Sequence, residues 1–296
     1  MVESSEPREG PLPPRVEALR KAMVAAIPCS PDARLELNGL AFGHLLSAYY
    51  NWSLRRIPPR PRAFEFAPGF WDARALKHKK AICALAHQIR AGEDLSGFHS
   101  KDAAKRGYVA RSERGSIWER KDFALSAWEV HHLHLKPRGG GNELLFAFFD
   151  RARALAVMLG DHTSWGVDGD LEERVMAMRA ASGHLVMQGV EPSGKELSTS
   201  DRIRWAWRGL SAAADVNGKR VLGAMITTNG ASWLDGAMTG YTQRVVRDLD
   251  AKLDEPGFRA AEFPSLVNPF WWFNGSDLYL ASEDGLPVAL IVSGPL

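Results

Sequence analysis

Apolar positions recur at helical spacing from Pro14 to Ala26, through Val16, Leu19, Met23 and Ala26, and Pro14 suits a first helical turn. A second helical pattern, LNGLAFGHLLSAYYNWSLRR, stops before Pro58, because proline lacks a donor and disfavours helix in the residue before it. PPRPRAFEFAPGF then reads as extended chain. Residues 72–91 return to helical spacing, with Asp72 as cap, Ala75, Leu76, Ile82, Leu85 and Ile89 apolar, and Gly92 as the stop. From Glu93 to Trp118 the pattern lapses. Gly97, Gly107 and Gly115 stand among Lys101, Lys105, Arg106, Arg111 and Arg114, with Arg120 and Lys121 just beyond, which predicts a basic, loop-rich connector.

The period then drops to two. WEVHHLHL, ELLFAFF and ALAVMLGDH are short apolar runs separated by PRGGGN and DRAR, and they predict three consecutive strands in an antiparallel meander. Leu171 to Ala181 is again helical. A polar loop with Pro192, Ser193 and Gly194 leads to a helix from Asp201 that carries Ile203, Trp205, Ala206 and Leu210. KRVLGAMITT (219–228) reads as a strand, 236–253 as an amphipathic helix, and the tail from Asn268 as a closing hairpin on NGSD. The expected fold class is α+β: N-terminal helices, a central antiparallel β-meander and a C-terminal α+β extension. The matching regions are 1–95, 96–170 and 171–296.

Composition narrows the function classes. The 296 residues are 45% hydrophobic, enough for a large core. With 37 basic and 35 acidic residues the formal charge is +2, so no global pull towards nucleic acid or membrane exists and any basic surface is local. Cys29 and Cys83 are too few for a disulfide framework and lack metal-ligand spacing, which fits a reducing cytoplasm and predicts buried free thiols. MVESSEPREGPLPPR has no apolar signal region and reads as a flexible lead-in. No run approaches roughly 18 apolar residues, so a cytoplasmic location without a membrane partner is expected.

The chemistry concentrates in histidines. On a strand, His132 and His134 share one face while His131, Leu133 and Leu135 share the other. In a meander the third strand brings its end, His162, towards the first face, so three imidazoles converge. Imidazoles titrate near neutrality and suit acid–base cleavage of a phosphodiester, with Lys121, Arg138, Arg151 or Arg153 steadying the charged phosphorane. The same trio suits zinc or iron, with Glu129, Asp161 or Asp168 as extra ligands. A third reading is packing in a half-buried sheet with local hydrogen bonds. His99, in SGFHSKD, is expected on a solvated loop, and His44, His78, His87 and His184 show no partner pattern. WAWRG and FWWFNG offer stacking faces beside Arg204 and Arg208, although aromatics at such spacings usually build core. The run Gly139 to Gly141 lacks the context of a nucleotide fingerprint, and no G-x-S-x-G, H-E-x-x-H or C-x-x-C motif occurs.

HLHLKPRGGGNELLFAFFDRARALAVMLGDHTSW, about residues 131–165, resembles the C-terminal strands of RelE/YafQ-like toxins of bacterial toxin–antitoxin systems. In that family a basic strand, an apolar strand and a final strand lead to a G-x-H-like end. GDHTSW is similar to the GSHSELF-type ending whose histidine is catalytic there, which implies that His162 is an acid or base. The resemblance implies a toxin-like, metal-independent endoribonuclease without a cofactor, RNA as the partner with ribosome association, and an antitoxin protein. On that reading His132 and His134 join His162 as acid–base residues, and Lys121, Arg138 and Arg151 hold phosphate. WEVHHLHL also resembles a W-x-[IV]-H-H-x-H-L pattern of a bacterial family, which implies no activity. Two alternatives stand beside this: a zinc or iron enzyme with His132, His134 and His162 as ligands, and a non-catalytic interaction protein of a phage or plasmid defence system.

Overall fold

Caps and prolines set the helix boundaries. Ser30 accepts a hydrogen bond from the Ala33 N–H at 3.2 Å and Pro31 occupies the first turn, so a helix begins at Pro31 and ends at Leu40, which is extended. The single helix expected over 37–56 is therefore two. In the computed structural model, which describes residues 11–99, 107–110, 122–137, 140–192, 197–227, 231–284 and 287–296, the chain has an α+β fold.

Its elements are α1 (Pro14–Ala26), α2 (Pro31–Gly39), α3 (Phe42–Ser53), β1 (Ala63–Phe66), α4 (Ala73–Lys77), α5 (Lys79–Ala91) and a 3-10 turn (Ser96–Phe98). After these come α6 (Phe123–Trp128), β2 (His131–Lys136), β3 (Gly140–Phe149), β4 (Arg153–Gly160), α7 (Leu171–Ser182) and α8 (Thr199–Ala206). The remainder is β5 (Ala213–Val216), β6 (Lys219–Leu222), α9 (Trp233–Asp250), α10 (Pro256–Glu262), β7 (Phe270–Asn274), β8 (Asp277–Ala281) and β9 (Pro287–Val292). Much of the expected basic connector, 100–106 and 111–121, lies outside the described residues. Among the described residues no helix is long and apolar enough to cross a membrane.

The described residues form two compact units, each assembled from separated segments. The first draws on the described residues within Met1–Ser53, Gly107–Arg114 and Asp235–Pro295, the second on those within Leu54–Arg106, Gly115–Leu234 and Leu296. The expected boundaries at 95 and 170 both fall inside the second unit.

In the first unit, α1 packs on β7 of a three-stranded sheet ordered β7-β8-β9. Several of its buried polar groups are paired. Asp250 accepts from Arg15 Nε at 2.9 Å and from Trp271 Nε1 at 2.8 Å, and the Asp277 carboxylate accepts the Gly294 N–H at 2.7 Å. The Tyr50 hydroxyl lies 2.6 Å from that of Thr242, and burial pushes its pKa up to about 12.

The second unit holds a four-stranded sheet ordered β1-β4-β3-β2. β2, β3 and β4 form the expected antiparallel meander, while AFEF, expected only as extended chain, adds to β4 in parallel as an edge strand. Helix α5 touches both edge strands, β1 and β2. Leu144, Phe146, Val157 and Met158 pack with Phe123, Ala127 and Trp128 of α6 and with Leu171 and Val175 of α7 in the main core cluster.

Several local expectations need correction. The strand read from WEV onward starts only at His131. Asp122 accepts the Leu125 N–H at 3.1 Å and caps a helix that runs through Trp128, and Glu129 closes it at φ 63°. Residues 72–91 form two helices broken at His78. Of the described part of the strand read over 219–228, residues 219–222 join a ladder, paired with β5 through Asn217 and Gly218, both at positive φ. Cys29 is partly exposed and Cys83 exposed, so the thiols are not buried. Of the tryptophans in the two aromatic stretches, Trp271 is core, whereas Trp205, Trp207 and Trp272 are exposed.

Candidate functional site

The site is built on the register of β2 and β3. His132 pairs with Phe146 and His134 with Leu144, so both imidazoles lie on the face that carries these two core residues. His131 pairs with Ala147 and faces the other way, where its ring meets Phe149 edge to face at 5.4 Å. The ladder shifts between His134 and Lys136, a bulge at the open edge of the sheet.

His162 reaches the first face by way of a tight turn. At Gly160 an added Cβ would overlap Ser164 Oγ and crowd Phe146, so only glycine ends β4 here. Asp161 then ties the turn: its carboxylate accepts the Thr163 N–H at 2.8 Å and the Thr163 hydroxyl at 2.6 Å, and its own N–H donates to Ser164 Oγ at 3.1 Å. Ser164 O accepts the Leu171 N–H at 3.1 Å, which joins the turn to α7. The GDHTSW segment is thus a self-bonded knot that projects His162 and Trp165.

Three imidazoles converge, as the meander predicts. The His162 ring centroid lies 5.7 Å from that of His134 and 6.4 Å from that of His132. Trp165 fills the angle between them, 5.1 Å from His132 and 5.2 Å from His162, and stands edge to face against Phe146. His134 is buried, and its Nδ1 lies 3.4 Å from the Gly141 carbonyl oxygen. Nδ1 of His132 is 3.1 Å from Asp122 Oδ2, placed off the line of a good hydrogen bond, so charge dominates this contact.

Electrostatics separate the histidines. Burial disfavours charge on His132, but Asp122 outweighs it and raises its pKa above the ordinary imidazole value. Burial likewise works against ionisation of Asp122, yet His132, the Leu125 N–H and His131 hold it down at about 2. His162 moves the opposite way from His132: partial desolvation and the neighbouring His132 lower its pKa. On the far face, burial pushes His131 down to about 3 and His99 down to about 4, so both are neutral imidazoles at neutral pH.

The anticipated cations are not gathered here. Arg151 sits in the turn beyond Phe149, and Phe149 is itself three residues along β3 from the level of His132, or about 10 Å by strand rise. Arg153 starts β4 at that same far end and pairs with Asp150 at 3.2 Å. Lys121 and Arg138 lie outside the described residues. At the near end Lys136 is exposed and its side chain runs past Gly141. Beside His162, Arg74 is already committed to Glu143 at 2.9 Å and Asp161 at 2.8 Å.

As to a metal, no group of three or more His, Cys, Asp or Glu side chains among the described residues is placed to hold one. Of the suggested extra ligands, Glu129 faces His184 at 3.7 Å, Asp161 is held by Thr163 and Arg74, and Asp168 is an exposed turn residue. Three residues take part beyond those expected. Asp122 was legible as a helix cap ten residues before His132, Trp165 as the last residue of GDHTSW, and His99 is buried rather than solvated because the 3-10 turn before it packs on β2.

The chain matches no family model, no curated protein and no solved structure.

Proposed function

We propose that the second unit is a metal-independent endoribonuclease in which His132 and His162 act as an acid–base pair. The observation that carries this reading is the pair itself: two imidazoles with ring centroids 6.4 Å apart, one raised by a carboxylate and the other lowered. Titratable groups driven apart in this way sort themselves into an acid and a base. His162, neutral and exposed, removes the proton of a ribose 2′-hydroxyl. The 2′ oxygen then bonds to the adjacent phosphorus as the bond to the 5′ oxygen breaks. The imidazolium of His132, held by Asp122, donates its proton to that leaving oxygen, giving a 2′,3′-cyclic phosphate and a 5′-hydroxyl. His134 completes the imidazole face, and Lys136 is the described cation at this end of the strand. The resemblance of 131–165 to RelE-like toxins supports the same chemistry, and with it a cytoplasmic, antitoxin-controlled enzyme that meets its RNA on the ribosome.

The test is incubation of the purified full chain with a labelled single-stranded RNA in excess EDTA. Cleavage to cyclic phosphate ends that His162→Ala and His132→Ala abolish is the expected result. Intact RNA with and without ribosomes sinks the reading.

A specific feature favours a second reading. Nδ1 of His132 faces Asp122 and Nδ1 of His134 faces the Gly141 carbonyl, the outer contacts that orient imidazoles bound to a metal through Nε2. On this reading His132 and His134, whose rings lie 6.4 and 5.7 Å from that of His162, would have to draw closer to it for the three to hold zinc or iron. Stoichiometric metal in the purified protein, with cleavage lost in EDTA, would decide for it.

A further inference from the structure

Among the described residues the exposed ring of His162 is placed by contacts with the rings of His132, His134 and Trp165 and by no hydrogen bond. Where it stands therefore depends on where the turn after β4 holds its backbone. The bonds among Asp161, Thr163 and Ser164 fix the shape of that turn, and Leu171 ties its far end to α7. Its near end is tied by Arg74. Helix α4 lies against β4, and the Asp72 carboxylate, which accepts the Ala75 N–H at 2.8 Å, caps it so that Arg74 is its second residue. On β3, Glu143 precedes Leu144, the residue that pairs with both His134 and Gly160. Side chains alternate along a strand, so Glu143 projects from the face opposite the imidazole pair. The oxygens of Asp161 divide their work: Oδ1 accepts from the N–H and hydroxyl of Thr163 inside the turn, while Oδ2 accepts from Arg74 Nη2 at 2.8 Å. Arg74 Nε donates to Glu143 Oε2 at 2.9 Å. One planar guanidinium thus spans a carboxylate of the sheet and a carboxylate of the turn, a fixed fork that a lysine ammonium does not reproduce. The other oxygen of Glu143 lies 3.8 Å from His78 Nε2, at the break between α4 and α5. These three charged side chains are 29–37% exposed, so their ties bear on local geometry far more than on global stability.

We infer that Arg74 is a positioning residue for His162: through Asp161 and Glu143 it fixes the turn that carries this imidazole to β3, and so sets its distance from His132. The inference takes the role of His162 from the ribonuclease reading and adds what holds that group in place. Arg74 acts through Asp161, the neighbour of His162 in the chain, and its two hydrogen bonds are both spent on carboxylates of the protein.

The test pairs cleavage with a spectroscopic readout that needs no cleavage. In the full-length protein with isotopically labelled histidines, the parent should show nuclear Overhauser contacts from the His162 ring to His134 and Trp165. Arg74→Gln should lose or weaken them while the contact of His131 with Phe149 persists, which marks an intact sheet. In steady-state cleavage of single-stranded RNA, Arg74→Gln should lower kcat by about ten- to a hundredfold, as a displaced reacting group does, and leave KM within about twofold. Arg74→Lys keeps the charge without the fork and should recover part of the loss in kcat. Asp161→Asn breaks the same tie from the other side, so Arg74→Gln combined with Asp161→Asn should be no slower than the slower of the two single variants. Unchanged ring contacts in Arg74→Gln overturn the inference. So do losses that multiply in the double variant, or a loss confined to KM, since Arg74 then acts other than through the turn. Disappearance of the His131–Phe149 contact as well makes Arg74 a folding residue and overturns it too. A protein that cleaves no RNA, yet loses the His162 contacts alone in Arg74→Gln, keeps Arg74 as the residue that places His162 and overturns only the ribonuclease reading.

Discussion

His131 and His132 are adjacent residues of one strand, and they meet opposite fates. His131 enters an apolar face beside Phe149, is 4% exposed, and is held neutral with a pKa pushed down to about 3. His132 is scarcely more exposed, yet Asp122 draws it towards the imidazolium, and His162 stands across from it. Burial acts on both in the same direction. A single carboxylate, delivered by the N-cap of α6, draws one imidazole towards its charged form while burial keeps its neighbour neutral.

The comparison breaks most visibly in activity. His162→Ala or His132→Ala should lower RNA cleavage by about 10²–10⁴-fold, whereas His131→Leu should leave it within a few-fold; single-turnover cleavage rates check both. If His131→Leu is as damaging as His132→Ala, the two faces do not differ in role. Asp122→Asn comes next. Asparagine still caps α6 but no longer raises His132. The parent rate should follow a bell whose acid limb reports His162, lowered below the ordinary value near 6.5, and whose alkaline limb reports His132, raised above it. In Asp122→Asn the alkaline limb should move to lower pH while the acid limb stays.

A smaller effect concerns stability. His131 and His99 have folded pKa values below that of an unfolded histidine, so the unfolded chain binds more protons as pH falls. Their contribution is complete above about pH 6.5 and is lost towards pH 3–4, up to about 2 kcal/mol for each group between pH 7 and 5. His132 has the opposite sign, stabilising below about pH 6.5 and losing that contribution as pH rises through its raised pKa. Denaturation midpoints at pH 7 and pH 5 should therefore differ less in His131→Leu than in the parent, and an unchanged difference would show that His131 is not the titrating group. The smallest effect is expected at the far end of the sheet, where Arg151→Ala should leave cleavage within twofold and stability within about 0.5 kcal/mol.

The meander and the convergence of His132, His134 and His162 were legible because alternation on a strand fixes faces and consecutive short runs fix neighbours. What escaped was set by single side chains that override the local pattern. WEV looks like strand, yet Asp122 caps a helix through Trp128 and Glu129 closes it in the left-handed region. The Asn-Gly pair at 217–218 fixes a two-residue hairpin that the apolar pattern of 219–228 does not show. Arg151 looked close because it lies between the strands in sequence, but a turn at the far end of a ladder is separated from the near end by the full length of the strand. Trp205 near the end of α8 and Trp207 just beyond it depart from the rule that tryptophans build core, because each is about two-fifths exposed.

The segmented make-up of the two units bears on synthesis. The strand that covers α1, β7, is encoded more than two hundred residues after that helix, with all of the second unit except Leu296 in between. At ordinary ribosomal speeds of about 5–20 residues per second, the apolar faces of α1–α3 wait about 10–40 s after their own synthesis for their sheet. The histidine-bearing meander needs no such wait, since its strands emerge one after another. A nascent chain halted near residue 235 would thus carry an assembled imidazole cluster together with an uncovered helical segment, the kind of exposed surface that chaperones recognise.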